Sequence, residues 1–256
     1  MSLTGRQTEI LEYLKTNKHA KIRELSKQLY CSDATIRRDL AEMKKLGILE
    51  RDHGGAIILD TADEVAISVR YGQNAQDKKE VALLTQRHLP DFKVAFFDNS
   101  STSLTLAMNM NLDFRTVVTN GVMLALELAK REDVTVIMPG GNLLYNTNSL
   151  TGALATRVLD DMHFDLMLAS CTAISADGVY ENSLNQSDIK RTVLKRSTNA
   201  ALLVDRTKFS LTATHRTASP ADFDVIFTNA PQSATAAVRE VKGVRIISSA
   251  KEKKGL

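Results

Sequence analysis

The sequence lacks the features that mark several large classes of protein. Its two cysteines, Cys31 and Cys171, lie far apart and outside any Cys-x-x-Cys motif, so we expect neither a disulfide framework nor a thiolate metal site. No run approaches the roughly 20 apolar residues that a membrane helix needs, and charges come too early at the N-terminus for a signal peptide. These absences predict a cytoplasmic protein that is not bound to a membrane.

The histidines form no metal-binding pattern either. None of the five has ligand spacing with a cysteine or with another histidine. The sequence therefore predicts no metal and no cofactor. The histidines are His19, His53, His88, His163 and His215.

The overall composition of the sequence is typical of a globular protein, but its charge is unevenly distributed. With 43% hydrophobic and 25% charged residues, the 256-residue chain has the composition of a soluble globular protein, and it is long enough for a small domain joined to a larger one. Residues 1–59 carry 11 Lys and Arg against 8 Asp and Glu, whereas the rest of the chain carries 22 of each. The excess positive charge of the first quarter suggests a polyanion as its partner.

Three amphipathic segments open the chain, each with apolar residues at helical spacing. The third begins at Ser32, which is a good N-cap residue, and we expect it to end at Gly47. Only Tyr30 and Cys31 separate the second segment from the third, which is the short connection of a helix-turn-helix. The apolar stripes of the three predicted helices cover residues 10–14, 22–29 and 36–43.

The outward face of the third predicted helix suits the major groove of DNA. Small alanines flank Arg38 opposite the apolar stripe, and Lys45 lies on the same face. Arg38 could therefore bond a guanine edge with two donors, while Arg37 and Lys44 lie to one side, where phosphates are reachable. An isolated arginine pair more often simply solvates an exposed helix, so what favours DNA binding is the architecture around it.

A predicted β-hairpin follows this helix. Residues 48–51 and 56–59 have the pattern of two strands joined by a glycine-containing turn. Three helices followed by such a hairpin form a winged helix. Arg51 and His53 are candidate phosphate contacts on the hairpin, although an ordinary surface histidine is an equally good interpretation of His53.

The run LSKQLYCSDATIRRDLAEMKKLGILERDHGGA resembles the N-terminal signature of DeoR-type bacterial transcriptional regulators. The similarity covers roughly residues 5–57, and its combination of TIRRDL, LG and R-x-HGGA is specific. It implies that Thr35, Arg37 and Arg38 lie on a recognition helix and contact DNA. The predicted DNA-binding residues are therefore Ser32, Thr35, Arg37, Arg38, Lys44, Lys45, Arg51 and His53.

The rest of the chain divides into a polar segment and a long alternating one. Residues 60–79 have no sustained period and are predicted to form a linker, with a short ordered piece around residues 65–69. Beyond them, β-rich runs alternate with helical ones, which predicts a mostly parallel sheet covered by helices on both faces. We therefore expect an α/β protein, with a winged helix-turn-helix domain at 1–59 and a larger α/β domain at 80–256.

Polar residues follow several of the predicted strands, and sheets of this kind bind ligands at the carboxyl ends of their strands. Asp98 ends one strand, and Ser100, Ser101 and Thr102 open the next helix. Hydroxyls and free N–H groups at the N-terminus of a helix make a site for an anion, most naturally a phosphate. The simpler interpretation of such a run is helix capping alone.

Two glycines and two lysines extend this candidate site. Gly140 and Gly141 follow another strand, where they permit either close approach of the backbone to a ligand or a tight turn. Lys190 and Lys208 could neutralise an anion, although such lysines are most often simply solvated. The clustering of these residues at strand ends, rather than any one of them, predicts a site.

The order of these motifs over residues 64–247 resembles the effector-sensing domain of the same family. That domain is similar in fold to phosphosugar isomerases, and the resemblance implies a phosphorylated sugar as the effector. Ser100 and Ser101 replace the family's usual glycine and threonine, and residues 185–187 (NQS) replace an acidic pair, which changes the hydrogen-bonding partners of sugar hydroxyls. The motif positions, which with Gly140 are the predicted effector-binding residues, are Asp98, Ser100, Ser101, Thr102, Asn120, Gly141, Lys190, Asp205 and Lys208.

Two functions fit these predictions. The first is a transcriptional repressor of sugar-metabolism genes, whose partners are a double-stranded DNA operator and a phosphorylated sugar and which assembles as a homodimer or homotetramer. The alternative is an isomerase-like sugar-phosphate enzyme with an accessory DNA-binding head, which needs a carboxylate base beside the substrate. The carboxylates in the relevant loops have no recognisable catalytic arrangement, so the sequence predicts that the protein is not an enzyme. They are Asp98, Asp177, Glu181 and Asp205.

Overall fold

The computed structural model describes residues 3–45, 48–58, 67–145 and 147–249. The chain divides into two compact units, Met1–Gln73 and Asn74–Leu256, which are its first and second unit. The predicted helix end at Gly47 and residues 59–66, which include the start of the predicted linker, lie outside the described residues.

The first unit begins with helices and continues into a hairpin. In chain order its described elements are α1 (Gly5–Asn17), β1 (His19–Lys21), α2 (Ile22–Gln28), α3 (Asp33–Lys45), β2 (Leu49–Asp52), β3 (Gly55–Ile58) and α4 (Ile67–Gly72). The predicted winged helix is confirmed, with the hairpin strands within one residue of their expected positions. The pattern does not reveal β1, because three residues are too few to show a period; β1 pairs antiparallel with β3 and completes a sheet of order β1-β3-β2.

One apolar core holds the three helices of this unit together. Ile10 of α1, Leu25 of α2 and Leu40 of α3 are fully buried in a single cluster, as their spacing predicts. Burying one such side chain stabilises the fold by about 1.5–3 kcal/mol. Ser32 is the N-cap of α3, because its hydroxyl accepts a hydrogen bond of 3.2 Å from the N–H of Thr35. The core and the cap together fix which face of α3 remains in solvent.

Part of the predicted linker is helical in the structure. The described residues of 60–79 include α4 and the first residues of the next helix, which begins at Ala75. Along the chain, the boundary between the two units falls between Gln73 and Asn74. Helix α4 has only 6 residues, too few for an apolar period to appear in the sequence.

The second unit alternates strands and helices, as predicted. In chain order it contains α5 (Ala75–Gln86), β4 (Val94–Phe97), α6 (Ser101–Asn109), β5 (Thr116–Thr119), α7 (Val122–Leu128), β6 (Thr135–Ile137), β7 (Asn142–Leu144), β8 (Ser149–Thr151), α8 (Ala153–Asp160), β9 (Phe164–Ala169), β10 (Ala173–Ser175), β11 (Gly178–Glu181), α9 (Leu184–Lys195), β12 (Ser197–Val204), β13 (His215–Ala218), β14 (Val225–Thr228), α10 (Gln232–Arg239) and β15 (Ile246–Ser248). The antiparallel hairpin β7–β8 and the small sheet of β10, β11 and β13 are additions that the pattern does not predict. No helix among the described residues is long and apolar enough to cross a membrane.

Seven parallel strands form the main sheet, in the order β15-β14-β12-β9-β4-β5-β6. The chain runs outward from β4 through β5 to β6, returns to β9, and then runs outward on the other side. The topology therefore reverses between β4 and β9, and sheets of this kind bind ligands at the carboxyl ends of such strands. Successive residues of β4 show that both faces are covered, because Phe96 and Phe97 are fully buried in two different apolar clusters.

Candidate functional site

The acidic residues beside the arginine pair of α3 are engaged inside the first unit. Asp39 is buried, and its two oxygens accept hydrogen bonds of 2.5 Å and 3.2 Å from the guanidinium of Arg6. Glu42 accepts a hydrogen bond of 2.7 Å from the side-chain amide of Gln7. Both acids therefore tie α3 to α1, and neither of them neutralises the arginine pair.

Arg37 and Arg38 remain available to a partner outside the unit. Both side chains are exposed, and neither has a hydrogen-bonding or ionic side-chain partner among the residues that the structure describes. Ser32 and Thr35 lie at the N-terminus of the same helix, with their hydroxyl oxygens 2.9 Å apart. Half of the predicted DNA-binding residues thus lie together at the start of α3.

Two other predicted phosphate contacts brace the wing, which is the hairpin of β2 and β3. Lys44 forms an ion pair of 2.7 Å with Glu50 of β2. Arg51 donates a hydrogen bond of 3.5 Å from Nη1 to the main-chain carbonyl of Arg37. These contacts hold the wing against α3, so both cations are already partly engaged. The remaining predicted contacts are exposed residues of α3 and of the wing, Lys45 and His53.

Asp98 is the centre of the candidate site in the second unit. It follows β4 directly and is fully buried. Its Oδ1 accepts hydrogen bonds from the N–H of Ser100 at 3.1 Å, from the hydroxyl of Ser100 at 2.6 Å and from the hydroxyl of Ser103 at 2.5 Å. Its Oδ2 accepts a hydrogen bond of 3.0 Å from the N–H of Ser170. The carboxylate therefore joins the ends of β4 and β9, where the topology reverses.

Lys190 of α9 is bound to Asp98. Its ammonium lies 2.9 Å from Oδ2 of Asp98, donates a hydrogen bond of 2.6 Å to the carbonyl of Ser170, and forms an ion pair with Glu181. All three charged side chains are buried. Two carboxylates already compensate the charge of Lys190, so this geometry favours a supporting role over the predicted neutralisation of an effector anion.

The charges of this buried trio, Asp98, Lys190 and Glu181, stabilise one another. Burial opposes the ionisation of Asp98, but the ammonium of Lys190 and the neighbouring hydrogen-bond donors hold its pKa below the ordinary value. Burial also opposes the protonated form of Lys190, but the two carboxylates raise its pKa. From the sequence alone, Glu181 is only a possible catalytic base. Its pairing with Lys190 is not predicted, because nothing in the pattern indicates the small sheet that places Glu181 beside α9.

The N-terminus of α6 retains unpaired donors. Ser100 is the N-cap, and its hydroxyl accepts a hydrogen bond of 3.0 Å from the N–H of Ser103, so this side chain serves the helix and Asp98. The main-chain N–H groups of Ser101 and Thr102 have no partner in the part of the chain that the structure describes. Free N–H groups at the positive end of a helix are the donors that bind an anion.

Asn120 follows β5, the neighbour of β4 in the sheet, and is fully buried. Its amide nitrogen donates to the carbonyl of Leu150 and to Oε1 of Gln186, both at 3.2 Å, whereas its Oδ1 has no partner within the described ranges. Gln186 also donates a hydrogen bond of 2.6 Å to the hydroxyl of Ser149. Gln186 belongs to the NQS run at 185–187 that replaces the usual acidic pair. Its neutral amide thus links Asn120 to the hairpin β7–β8.

Asp205 provides a second buried acceptor. It follows β12, and its Oδ1 accepts hydrogen bonds from the hydroxyl of Thr207 and, at 3.0 Å, from the N–H of Thr207. Its Oδ2 is buried and has no partner among the described residues. A buried oxygen left without a donor costs about 1–3 kcal/mol, so a ligand that donates to Asp205 or to Asn120 would be favoured. Lys208 is half-buried three residues further on.

The glycines that follow β6 share a backbone conformation but differ in their surroundings. Both have positive φ, 72° at Gly140 and 100° at Gly141, a conformation that favours glycine. A Cβ added to Gly141 would lie 2.5 Å from the main-chain oxygen of Thr151, whereas one added to Gly140 would meet open space. The close backbone approach at Gly141 is therefore to β8.

The structure brings the predicted effector residues to one edge of the parallel sheet. Asp98, Asn120 and Asp205 directly follow β4, β5 and β12, and Lys190 reaches Asp98 from α9. The two glycines follow β6, the last strand on its side of the sheet. The donors of α6 and the acceptors of Asn120 and Asp205 are thus all carried by segments at the carboxyl ends of the strands.

Comparison with protein families assigns both units. Residues 6–62 match the model of the DeoR-like helix-turn-helix domain, and residues 73–230 match the model of the DeoR C terminal sensor domain. The resemblance that the sequence motifs indicate is therefore confirmed over most of the chain.

Curated relatives are similar over most of their length. The chain is 30% identical to the L-fucose operon activator of Haemophilus influenzae, over 86% of this chain and 89% of the relative. It is 28% identical to the HTH-type transcriptional regulator GolR of Listeria innocua, over 88% of this chain and 89% of the relative. It is 26% identical to the glycerol-3-phosphate regulon repressor of Escherichia coli, over 90% of this chain and 92% of the relative. Among solved structures, the sorbitol operon regulator SorC of Klebsiella pneumoniae aligns with a TM-score of 0.41 and 14% identity, over 91% of this chain and 98% of that one.

Proposed function

This chain belongs to the DeoR family of transcriptional regulators, and we propose that it represses sugar-metabolism genes under the control of a phosphorylated sugar. The winged helix of the first unit binds a double-stranded operator, and the strand-end site of the second unit binds the effector. The effector acts as a switch because it binds one state of the protein more tightly than the other.

The exposed arginine pair of α3 carries the DNA-binding part of this proposal. Arg37 and Arg38 are side by side on a helix whose opposite face is buried, and no described residue pairs with either side chain. A guanidinium on the outward face can bond a guanine edge with two donors, and its neighbour can bond a phosphate. The short connection to α2 and the wing that follows are the framework that presents such a helix to the major groove.

The unpaired groups of the second unit support a sugar phosphate as the effector. The free N–H groups of Ser101 and Thr102 suit the phosphate, and the buried acceptors of Asn120 and Asp205 suit donors, such as the hydroxyls of a sugar. The names of the relatives agree with this chemistry, since they refer to operons or regulons of glycerol-3-phosphate and L-fucose.

We also propose that the second unit has no isomerase activity. A general base works best with a pKa near the operating pH, whereas the pKa of Asp98 is held below its ordinary value and both of its oxygens are already bonded. Glu181 is paired with Lys190. Incubation with a panel of aldose and ketose phosphates, followed by chromatography of the products, should show no interconversion above the buffer background.

The assembly we propose is a homodimer or homotetramer, and palindromic half-sites in the operator would follow from its two-fold symmetry. Light scattering coupled to size-exclusion chromatography measures this directly, and a monomer at the concentration that saturates DNA would contradict it. The proposed place of action is the cytoplasm.

The experiment that tests the whole proposal is a fluorescence-anisotropy titration on a duplex from upstream of the gene. The titration is repeated with each member of a panel of sugar phosphates and with the matching unphosphorylated sugars, at one fixed salt concentration, because affinity for DNA depends steeply on salt. We expect specific binding to the duplex. One phosphorylated sugar should change the affinity of this binding, and its unphosphorylated counterpart should not.

The other outcomes separate the two parts of the proposal. Specific binding that no sugar phosphate alters would support the DNA-binding function and contradict the proposal that a phosphorylated sugar is the effector. Failure to prefer the upstream duplex over a scrambled duplex of equal length would contradict control at that site.

A further inference from the structure

Among the residues of the first unit that the structure describes, Tyr30 is the most exposed large apolar side chain. It lies in the connection between α2 and α3 and is 96% exposed. Its φ is +49°, a left-handed conformation that residues other than Gly, Asn and Asp rarely adopt. No described residue forms a hydrogen bond, ion pair or ring contact with its side chain. An aromatic residue at such a position adds nothing to the core of the unit.

The position of Tyr30 places it at the edge of the DNA-binding surface. It precedes Ser32, the N-cap of α3, by two residues. The connection is ordered by two hydrogen bonds between Ser26 and Cys31, at 3.1 Å and 2.6 Å. In a helix-turn-helix, the N-terminal residues of the second helix enter the major groove. A residue two positions before the N-cap of that helix is therefore close to the phosphates that border the groove.

Exposure and conformation alone do not make Tyr30 a contact residue, as a second position shows. Phe114 of the second unit is 92% exposed and has a φ of +60°. What distinguishes Tyr30 is the hydroxyl at the end of its ring and its place beside the recognition helix. Tyrosine hydroxyls are among the groups that bond DNA phosphates.

We propose that the hydroxyl of Tyr30 donates a hydrogen bond to a DNA phosphate beside the groove that α3 enters. This inference rests on the proposed DNA-binding function and adds a neutral contact to its cationic ones. The contact positions the protein without reading bases, since a phosphate carries no sequence information. It leaves the salt dependence unchanged, since a neutral side chain releases no counterion.

Three substitutions test the contact. Tyr30→Phe removes only the hydroxyl, and Tyr30→Asn removes the ring but suits the left-handed backbone. Phe114→Asn is the control, because it also replaces an exposed aromatic ring by asparagine at a similar φ, but in the other unit. Affinities are measured by anisotropy on a random-sequence duplex at low salt and on the upstream duplex, together with the melting temperature of each variant.

We expect Tyr30→Phe and Tyr30→Asn to weaken binding about three- to tenfold on both duplexes, the loss of one hydrogen bond. The slope of affinity against salt should stay that of the wild type, and Tyr30→Asn should melt no lower. Phe114→Asn should bind like the wild type. Wild-type affinity of Tyr30→Phe on both duplexes would overturn the contact, and a loss confined to one sequence would overturn its assignment to a phosphate. If the wild-type protein bound neither duplex, the proposed function would fail as well.

Discussion

The ammonium of Lys190 lies 2.9 Å from the carboxylate of Asp98, at the point where the topology of the second unit reverses. Asp98 in turn bonds the N–H and the hydroxyl of Ser100, the N-cap of α6. A lysine that the sequence assigns to the effector is therefore bonded to the carboxylate that also bonds the N-cap of α6. This geometry favours a supporting role for Lys190 in the proposed effector site.

Replacement of Lys190 should strongly destabilise the second unit. Lys190→Met leaves the carboxylates of Asp98 and Glu181 buried without their cation, and breaking a buried ion pair costs about 3–5 kcal/mol. Urea denaturation measures the free energy of unfolding. Lys195→Met is the control, because Lys195 lies on the same helix but is exposed; its effect should stay within about 0.5 kcal/mol. Equal effects of the two substitutions would show that the buried trio adds nothing.

Asp98 should make the stability of the protein depend on pH in the acid range. Its pKa is lower in the folded than in the unfolded chain, so the unfolded state takes up the proton first as pH falls. Its contribution is present above its ordinary pKa of 3.8 and disappears as pH falls through the lower, folded value. The difference in the free energy of unfolding between the wild type and Asp98→Asn should therefore be largest near neutral pH and narrow below about pH 4. A difference that is constant from pH 7 to pH 3 would argue against this role.

The two glycines after β6 should respond differently to alanine. Both need positive φ, which costs a non-glycine residue about 1–2 kcal/mol, but only a Cβ at Gly141 would collide with the main-chain oxygen of Thr151, at 2.5 Å. Gly141→Ala should therefore lower the free energy of unfolding by clearly more than Gly140→Ala does. If thermal or urea unfolding showed that both substitutions lower the stability equally, β8 would have to move away from the new Cβ at Gly141 without an energetic cost.

The arginine pair should separate into a base contact and a phosphate contact. Arg38→Ala should cost about 1–3 kcal/mol on the operator and reduce the preference among operator sequences. Arg37→Ala should weaken all DNA similarly and reduce the salt slope by about one. Anisotropy on operator and scrambled duplexes at several salt concentrations measures both effects. Arg87→Ala, an exposed arginine of the second unit, is the control, and identical profiles for Arg37→Ala and Arg38→Ala would contradict the division of roles.

The sequence predicts well those features whose signals lie within a few consecutive residues. The apolar stripes of α1, α2 and α3 repeat every three or four residues, and the parallel strands are short continuous apolar runs; the structure contains these elements. The cap at Ser32 and the helix start after Ser100 are equally local signals. The family motifs add the order of the strand ends, which periodicity alone does not supply.

What the sequence does not predict depends on contacts between distant residues. Lys190 and Glu181 meet because a short antiparallel sheet brings the end of β11 to α9, and the sequence pattern does not predict that sheet. Gln186 bonds Asn120 across 66 residues of chain. The partners of Lys44 and Arg51 likewise belong to separate elements, so their engagement by the wing appears only in three dimensions.

The placement of β4 beside β9 has a consequence for the order in which the protein folds. The hydrogen bond from Ser170 to Asp98 spans 72 residues, and β12 and β14 are added to the sheet from still later positions. The first unit, in contrast, closes its three-stranded sheet within 58 residues. Because domains fold as units from the N-terminus during synthesis and long-range parallel pairing is slow, the winged helix is complete on the ribosome before the centre of the second sheet can form. A nascent chain therefore has its DNA-binding surface before it has its effector site.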